Sequence, residues 1–145
     1  MMIGAPASGK STLAKEIVNY CDNYTVVCPD DIRQEILGDV NDQSKNNEVF
    51  NVVYARINRY LKEYKNVVYD GTNCRLYHRK KAIQMCKPYF KSLVGICMST
   101  SLDECIDRNF KRDRNVPEDV IRTMHKSLHA NPPKAYDGFE QILIF

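Results

Sequence analysis

The stretch from Gly4 to Thr12, GAPASGKST, limits what this chain can become more than any other. Its glycines and Lys10-Ser11 fit G-x-x-x-x-G-K-S/T, the spacing of a phosphate-binding loop that leaves a strand and enters a helix. Each part has a physical task. Gly4 and Gly9 let the backbone curl around phosphate oxygens, and the helix beginning near Lys10 offers unpaired amides and the positive end of its dipole. Lys10 neutralises β- and γ-phosphate charge, Ser11 is the expected Mg²⁺ ligand, and Ala7, Ser8 and Thr12 complete the cradle. A chance turn before a helix is the alternative, and it explains neither the lysine nor the hydroxyl.

The rest of the chain alternates strand-like and helical runs, as an α/β parallel sheet requires. Strands are expected at Met1–Ile3, Tyr24–Cys28, the NVVY before Asp70, the SLVGICM run and the terminal QILIF. Helices are expected over Ser11–Tyr20, from Asp30 to Gly38, over Glu48–Tyr64 and Tyr77–Cys86, from Ser101 through Phe110, and from Pro117 onward. Ser101-Leu-Asp-Glu104 reads as a capping box. The polar stretch DVNDQSKNN reads as a loop. This pattern predicts one domain over residues 1–145, a five-stranded parallel sheet flanked by helices, with a short helical lid at about residues 108–117. Right-handed crossovers would bring the C-terminal ends of the strands to one edge, and with them the glycine-rich loop, Asp30 and Asp70.

At that edge, Asp30 in PDDIR is a candidate general base toward an incoming hydroxyl. Arg33, one helical turn on, is a candidate for gripping an acceptor phosphate. An N-cap aspartate with a surface ion pair is the competing reading. Asp70 is placed to help hold Mg²⁺ or orient its neighbours, although Asp-Gly is also a common turn pair. Arg108, Arg112 and Arg114 would arrive over the nucleotide on closure and offset transferred charge, or else form a solvated basic helix end.

Composition removes several other classes. The chain has 145 residues, 43% hydrophobic and 27% charged, and no apolar run of transmembrane length. Membrane partners are not expected and a cytoplasmic location is the default. Six cysteines without a C-x-x-C pair read as small buried hydrophobes rather than metal ligands or disulfides. His125 and His129, four apart, read as one exposed helix stripe. The net charge of +3 is too small to announce a nucleic-acid partner, but Arg75–Lys81 and Arg108–Arg114 are locally much more basic. Each is either a solvated helix face or a contact surface for phosphates.

GAPASGKST, DDIR, DGTN, RNFKR and VPEDVIRTMHKSL together resemble the P-loop polynucleotide kinases, above all the kinase domains of T-even bacteriophages, along nearly the whole chain. The resemblance implies ATP, or another nucleoside triphosphate, with Mg²⁺, and transfer of the γ-phosphate to the 5′-hydroxyl of DNA or RNA. It implies Asp30 as general base, Lys10, Ser11, Arg108 and Arg112 serving ATP, Arg33, Asp70 and Asn73 binding the acceptor with Arg33 on its 3′-phosphate, and Arg112 as the lid arginine on the transferring phosphate. Gly71 interrupts the family's DGTN region, and the lid between Arg112 and Val116 is one residue short. No D-x-D-x-T phosphatase motif occurs, so phosphatase or ligase steps would need a separate protein. A second copy of the chain is a compatible partner. Related P-loop kinases act on small molecules, and a nucleotide-binding module with no acceptor is a third class.

Overall fold

The computed structural model describes residues 1–145. The chain runs β1 (Met2–Ile3), α1 (Lys10–Tyr20), β2 (Tyr24–Val27), α2 (Pro29–Leu37), α3 (Asn46–Lys62), β3 (Asn66–Tyr69), α4 (Leu76–Cys86), β4 (Val94–Cys97), α5 (Leu102–Phe110), α6 (Glu118–Ala130) and β5 (Gln141–Ile144), with a 3₁₀ turn at Ala135–Asp137 before the last strand. Every expected strand and helix is present, within about two residues of its expected ends. Proline begins α2, where its missing N–H costs nothing, and Gly38 ends it in the left-handed region at φ 73°.

All strand pairs are parallel and helices connect them, so this is an α/β fold. The five strands do not form one continuous ladder, however. β1, β4 and β5 pair in that order, with Met2 opposite Ile96 and Val94 opposite Gln141, while β2 pairs with β3, Tyr24 opposite Asn66. The cause is the brevity of β1: two residues leave the glycine-rich loop before a full ladder to β3 is made. Two other bonds bridge the gap. Gly4 N donates to Thr72 O at 2.9 Å, and the Asn73 side-chain amide donates to Met2 O at 2.8 Å. Asn73 sits at φ +47°, which asparagine tolerates better than most residues.

Apolar burial explains which helices cover which strands. Val27, Ile32, Val49, Val53, Tyr54, Ile57, Tyr69, Ala82 and Cys86 form the largest core and bind α2, α3 and α4 to the β2–β3 pair. Met2, Ala14 and Val68 meet beneath α1, while Ile3, Cys74, Ile83, Leu128 and Phe139 tie α4 and α6 to the middle of the sheet. Burial of a side chain of this size contributes about 1.5–3 kcal/mol. The cysteines are buried hydrophobes only in part: Cys74, Cys86 and Cys105 are buried, Cys28 and Cys97 are half-buried and Cys21 is exposed; all six thiols are free, and burial pushes Cys28, Cys74 and Cys86 up to about 11.

Two local expectations need correction. Only half of the capping box forms: Ser101 Oγ accepts from Glu104 N at 3.2 Å, but the Glu104 carboxylate turns to Arg108 one helical turn on. The charge of arginine outcompetes the backbone amide. The histidines do not lie on a uniformly exposed stripe either: His129 is exposed, but His125 is half-buried, its ring 4.4 Å from that of His129, in a hollow shared with Ala5, Cys97 and Leu128. No helix is long and apolar enough to cross a membrane.

Candidate active site

The loop between β1 and α1 is a close-packed turn with two left-handed residues, Ala7 at φ 64° and Gly9 at φ 96°. Such reversals turn successive amides inward and make a concave anion site. Gly4 is required for a different reason, because a Cβ there would stand 2.6 Å from Ser8 Oγ and 3.0 Å from Met98 Cβ. The loop after β4 supports the turn from outside through Thr100, whose Oγ1 donates to Ser8 O at 2.9 Å.

Lys10 opens α1 and is only 7% exposed. Its Nζ donates to Ala5 O at 2.7 Å and reaches Ser8 Oγ at 3.4 Å. Burial holds the ammonium below the ordinary lysine value, while Cys74 and Asp70 pull it the other way. Asp70, just past β3, is buried. Burial raises its carboxyl above the ordinary aspartate value, opposed by a hydrogen bond to the Ser11 side chain and by Lys10. Ser11 and Asp70 thus offer a hydroxyl and a carboxylate side by side, an oxygen donor set of the kind Mg²⁺ takes, with phosphate and water completing its shell.

Asp30 is near enough for its charge to raise the Asp70 carboxyl further. It is not an N-cap, because Cys28 holds that position and Asp30 lies inside the first turn of α2. Each of its oxygens accepts from a different arginine: Oδ1 from Arg33 Nη1 at 2.7 Å, Oδ2 from Arg114 Nη1 at 2.8 Å. Arg33 is 4% exposed, its Nη2 donates to Asn46 Oδ1 at 2.9 Å, and its Nε has no partner in the protein. Arg114 comes from the loop between α5 and α6 and also donates from Nε to Asn41 Oδ1 at 3.1 Å.

Two further arginines, at the end of α5 and in the loop after it, lie near the glycine-rich loop and Lys10. Arg108 pairs with Glu104 and brings Nη1 to 3.6 Å from where a Cβ on Gly9 would stand. Arg112 is exposed and close enough to Lys10 to depress its ammonium further. The loop between α5 and α6 is held at its base by buried Asn109, which donates to Val116 O at 2.9 Å and accepts from Val116 N at 3.0 Å. Asn73 lies beside Asp70, but its amide nitrogen is used on Met2 O and Gly71 O in the seam of the sheet.

The structure therefore gathers Lys10, Ser11, Asp30, Arg33 and Asp70 at one edge, with Arg108 and Arg112 over the loop. Sequence reasoning did not find the Arg114–Asp30 pair, which joins residues 84 positions apart, nor Asn46 and Asn41 from the stretch read as a loop. No local spacing signals either contact.

The AAA domain family profile matches residues 1–131. This chain belongs to the AAA domain family. Among solved structures, the AAA domain is similar to a chain from the Pnkp1/Rnl/Hen1 RNA repair complex, with a TM-score of 0.81 and 26% identity over 89% of this chain and 43% of that one. A second structure of the Pnkp1/Rnl/Hen1 complex gives 0.68 and 28% identity over 74% of this chain and 37% of the other. This AAA domain thus spans less than half the length of either. A gluconokinase from Sinorhizobium meliloti 1021 shares the fold at 0.62 and 16% identity, over 99% of this chain and 78% of that one. The resemblance to P-loop polynucleotide kinases read from the sequence stands on these likenesses.

Proposed function

We propose that this AAA domain is a polynucleotide 5′-hydroxyl kinase that transfers the γ-phosphate of ATP to the end of a DNA or RNA strand, using Mg²⁺. One observation carries the reading: the Asp30 carboxylate, held by Arg33 and Arg114, stands beside Asp70, Ser11 and Lys10 at the edge where the glycine-rich loop opens. A nucleotide-binding module without an acceptor needs no such carboxylate. The likeness to chains of an RNA repair complex supports a polynucleotide acceptor over a small one.

In this mechanism the triphosphate lies in the loop formed by Gly4, Ala7, Ser8, Gly9 and Thr12, with Lys10 on its β- and γ-oxygens. Ser11 and Asp70 would hold Mg²⁺, which would neutralise charge on those oxygens. Arg33 grips the acceptor's 3′-phosphate, with Asn73 positioning the Asp70 turn. Asp30 takes the proton as the 5′-oxygen bonds to the γ-phosphorus and the bond to the bridging oxygen breaks, releasing ADP. Arg108 and Arg112 steady the transferring group. Asp30 Oδ2 keeps a second lone pair beside its bond from Arg114, so the arginine can hold the carboxylate in place while that oxygen takes the proton.

The test is transfer of labelled γ-phosphate from ATP with Mg²⁺ to a 5′-hydroxyl oligonucleotide, a nucleoside 3′-monophosphate and a plain nucleoside. Label on the first two and little on the third is expected. Label on the plain nucleoside alone points to a small-molecule kinase, and label on none removes the polynucleotide kinase reading and leaves a P-loop core with a different acceptor.

A further inference from the structure

The basic run Arg75–Lys81 has no part in the site described above, and the structure divides it. Arg79 is fully buried and belongs to the interior. Arg75, Tyr77, His78, Lys80 and Lys81 are exposed, Tyr77 at 69%. None of the three exposed cations makes an ion pair, whereas most other arginines of the chain do. From Leu76 to Cys86, α4 contains no aspartate or glutamate. Helical spacing sets Tyr77, Lys80 and Lys81 on the face opposite buried Arg79, Ala82, Ile83 and Cys86. Burial first, and then nearby Arg75 and Lys81, hold the His78 imidazole below its ordinary value, so these three groups share a flank. The His78 ring meets Tyr77 edge-on at 5.7 Å.

The surroundings extend this charge. Residues 46–91 hold ten Lys and Arg against three Asp and Glu, a net of +7, which leaves −4 for the rest of a chain whose total is +3. Positive charge is therefore concentrated on α3, α4 and their flanks, with Arg108–Arg114 a second, separate basic stretch. It also starts at the right place. α4 begins shortly after Asp70 and Thr72, and Thr72 bonds directly to Gly4 of the phosphate loop. α3 begins at Asn46, which bonds Arg33. Both helices run away from the candidate site, and α4 alone covers roughly 16 Å, about the spacing of four or five phosphates along one strand.

We propose that the outward face of α4, with Tyr77 at its centre and Arg75, Lys80 and Lys81 around it, binds the single strand that trails from the end being phosphorylated. The cations take successive phosphates, and Tyr77 with His78 offers a ring for an unpaired base. Cations alone would serve a duplex equally well; the exposed aromatic ring selects a strand whose bases are free to stack. This proposal rests on the acceptor reading above and extends it beyond the terminal nucleotide.

Fluorescence anisotropy of a labelled single strand of about 15 nucleotides tests it without requiring transfer, on the intact chain and on the K80E/K81E and Y77A variants. The double variant is expected to weaken binding by at least about tenfold and to flatten the dependence of log Kd on log salt by about two phosphate contacts. Y77A should weaken binding by about five- to 150-fold and leave the salt slope alone. In the kinase assay both should raise KM for the oligonucleotide and leave KM for a nucleoside 3′-monophosphate unchanged. Unchanged binding in both variants, or wild-type binding to phosphatidylserine vesicles in preference to the strand, overturns the proposal. Binding that both variants lose, in a protein that labels no acceptor, keeps the surface and removes the kinase reading instead.

Discussion

Asp30 accepts one guanidinium hydrogen bond on each carboxylate oxygen, and asparagine in its place keeps the shape while losing the capacity to take a proton. We expect Asp30→Asn to lower kcat by about 10²–10⁴ with ATP affinity nearly unchanged, read by single-turnover transfer and nucleotide titration. Undiminished turnover would remove Asp30 as the base. Asp70 makes a prediction about stability rather than rate. Its carboxyl is raised above the ordinary 3.8, chiefly by burial, so the folded state holds the proton more tightly than the unfolded chain does. The stabilisation from that proton is complete below 3.8 and is lost as pH rises through the folded value. Asp70→Asn should therefore melt higher than wild type near neutrality, with the gain shrinking toward low pH. A gain that grows on acidification would contradict the burial argument.

Among the elements, the seam between β3 and β1 depends on Asn73. Its buried amide replaces a backbone donor, so Asn73→Ala leaves Met2 O without that partner and puts alanine at a positive φ. A loss of about 1–3 kcal/mol in urea unfolding is expected, with faster hydrogen exchange at Gly4; no change in either would mean that water serves the seam as well. Helices and strands were legible because each has its own local signature: apolar period, a proline start, a glycine stop. The two-part sheet was not, since the shortness of β1 matters only once β3 lies beside it. The candidate site was legible where chemistry is concentrated in a motif, as in Lys10-Ser11 and Asp30–Arg33. It was illegible where a side chain arrives from far along the chain, as Arg114 does. Glu104 shows the same limit in miniature, its capping partner being correct by spacing and lost to a nearby charge.

At the scale of the whole molecule, Arg79 joins segments that are distant in sequence. Its guanidinium donates to Asn73 O at 3.1 Å, Cys74 O at 3.0 Å and Asn131 O at 2.7 Å, and lies 3.6 Å from the Asp137 carboxylate, with both side chains buried. Removing one member of a buried pair strands the other, so Arg79→Ala should cost about 3–5 kcal/mol, whereas exposed Arg75→Ala should stay within about 0.5 kcal/mol. Equal melting temperatures for the two variants would show that water reaches Asp137. Residues that look alike in the basic run RLYHRKK thus do unlike work, one inside and the others outside.

The break in the sheet also bears on how the site can move. The glycine-rich loop and the segment between α5 and α6 hang from β1, β4 and β5, while Asp30, Arg33 and Asp70 hang from β2 and β3, which lie in one uninterrupted stretch of chain from Tyr24 to Asn73. Two blocks joined along a short seam can slide against one another as units, so a small shift at Gly4–Thr72 and Asn73–Met2 would carry all three residues together toward or away from Lys10.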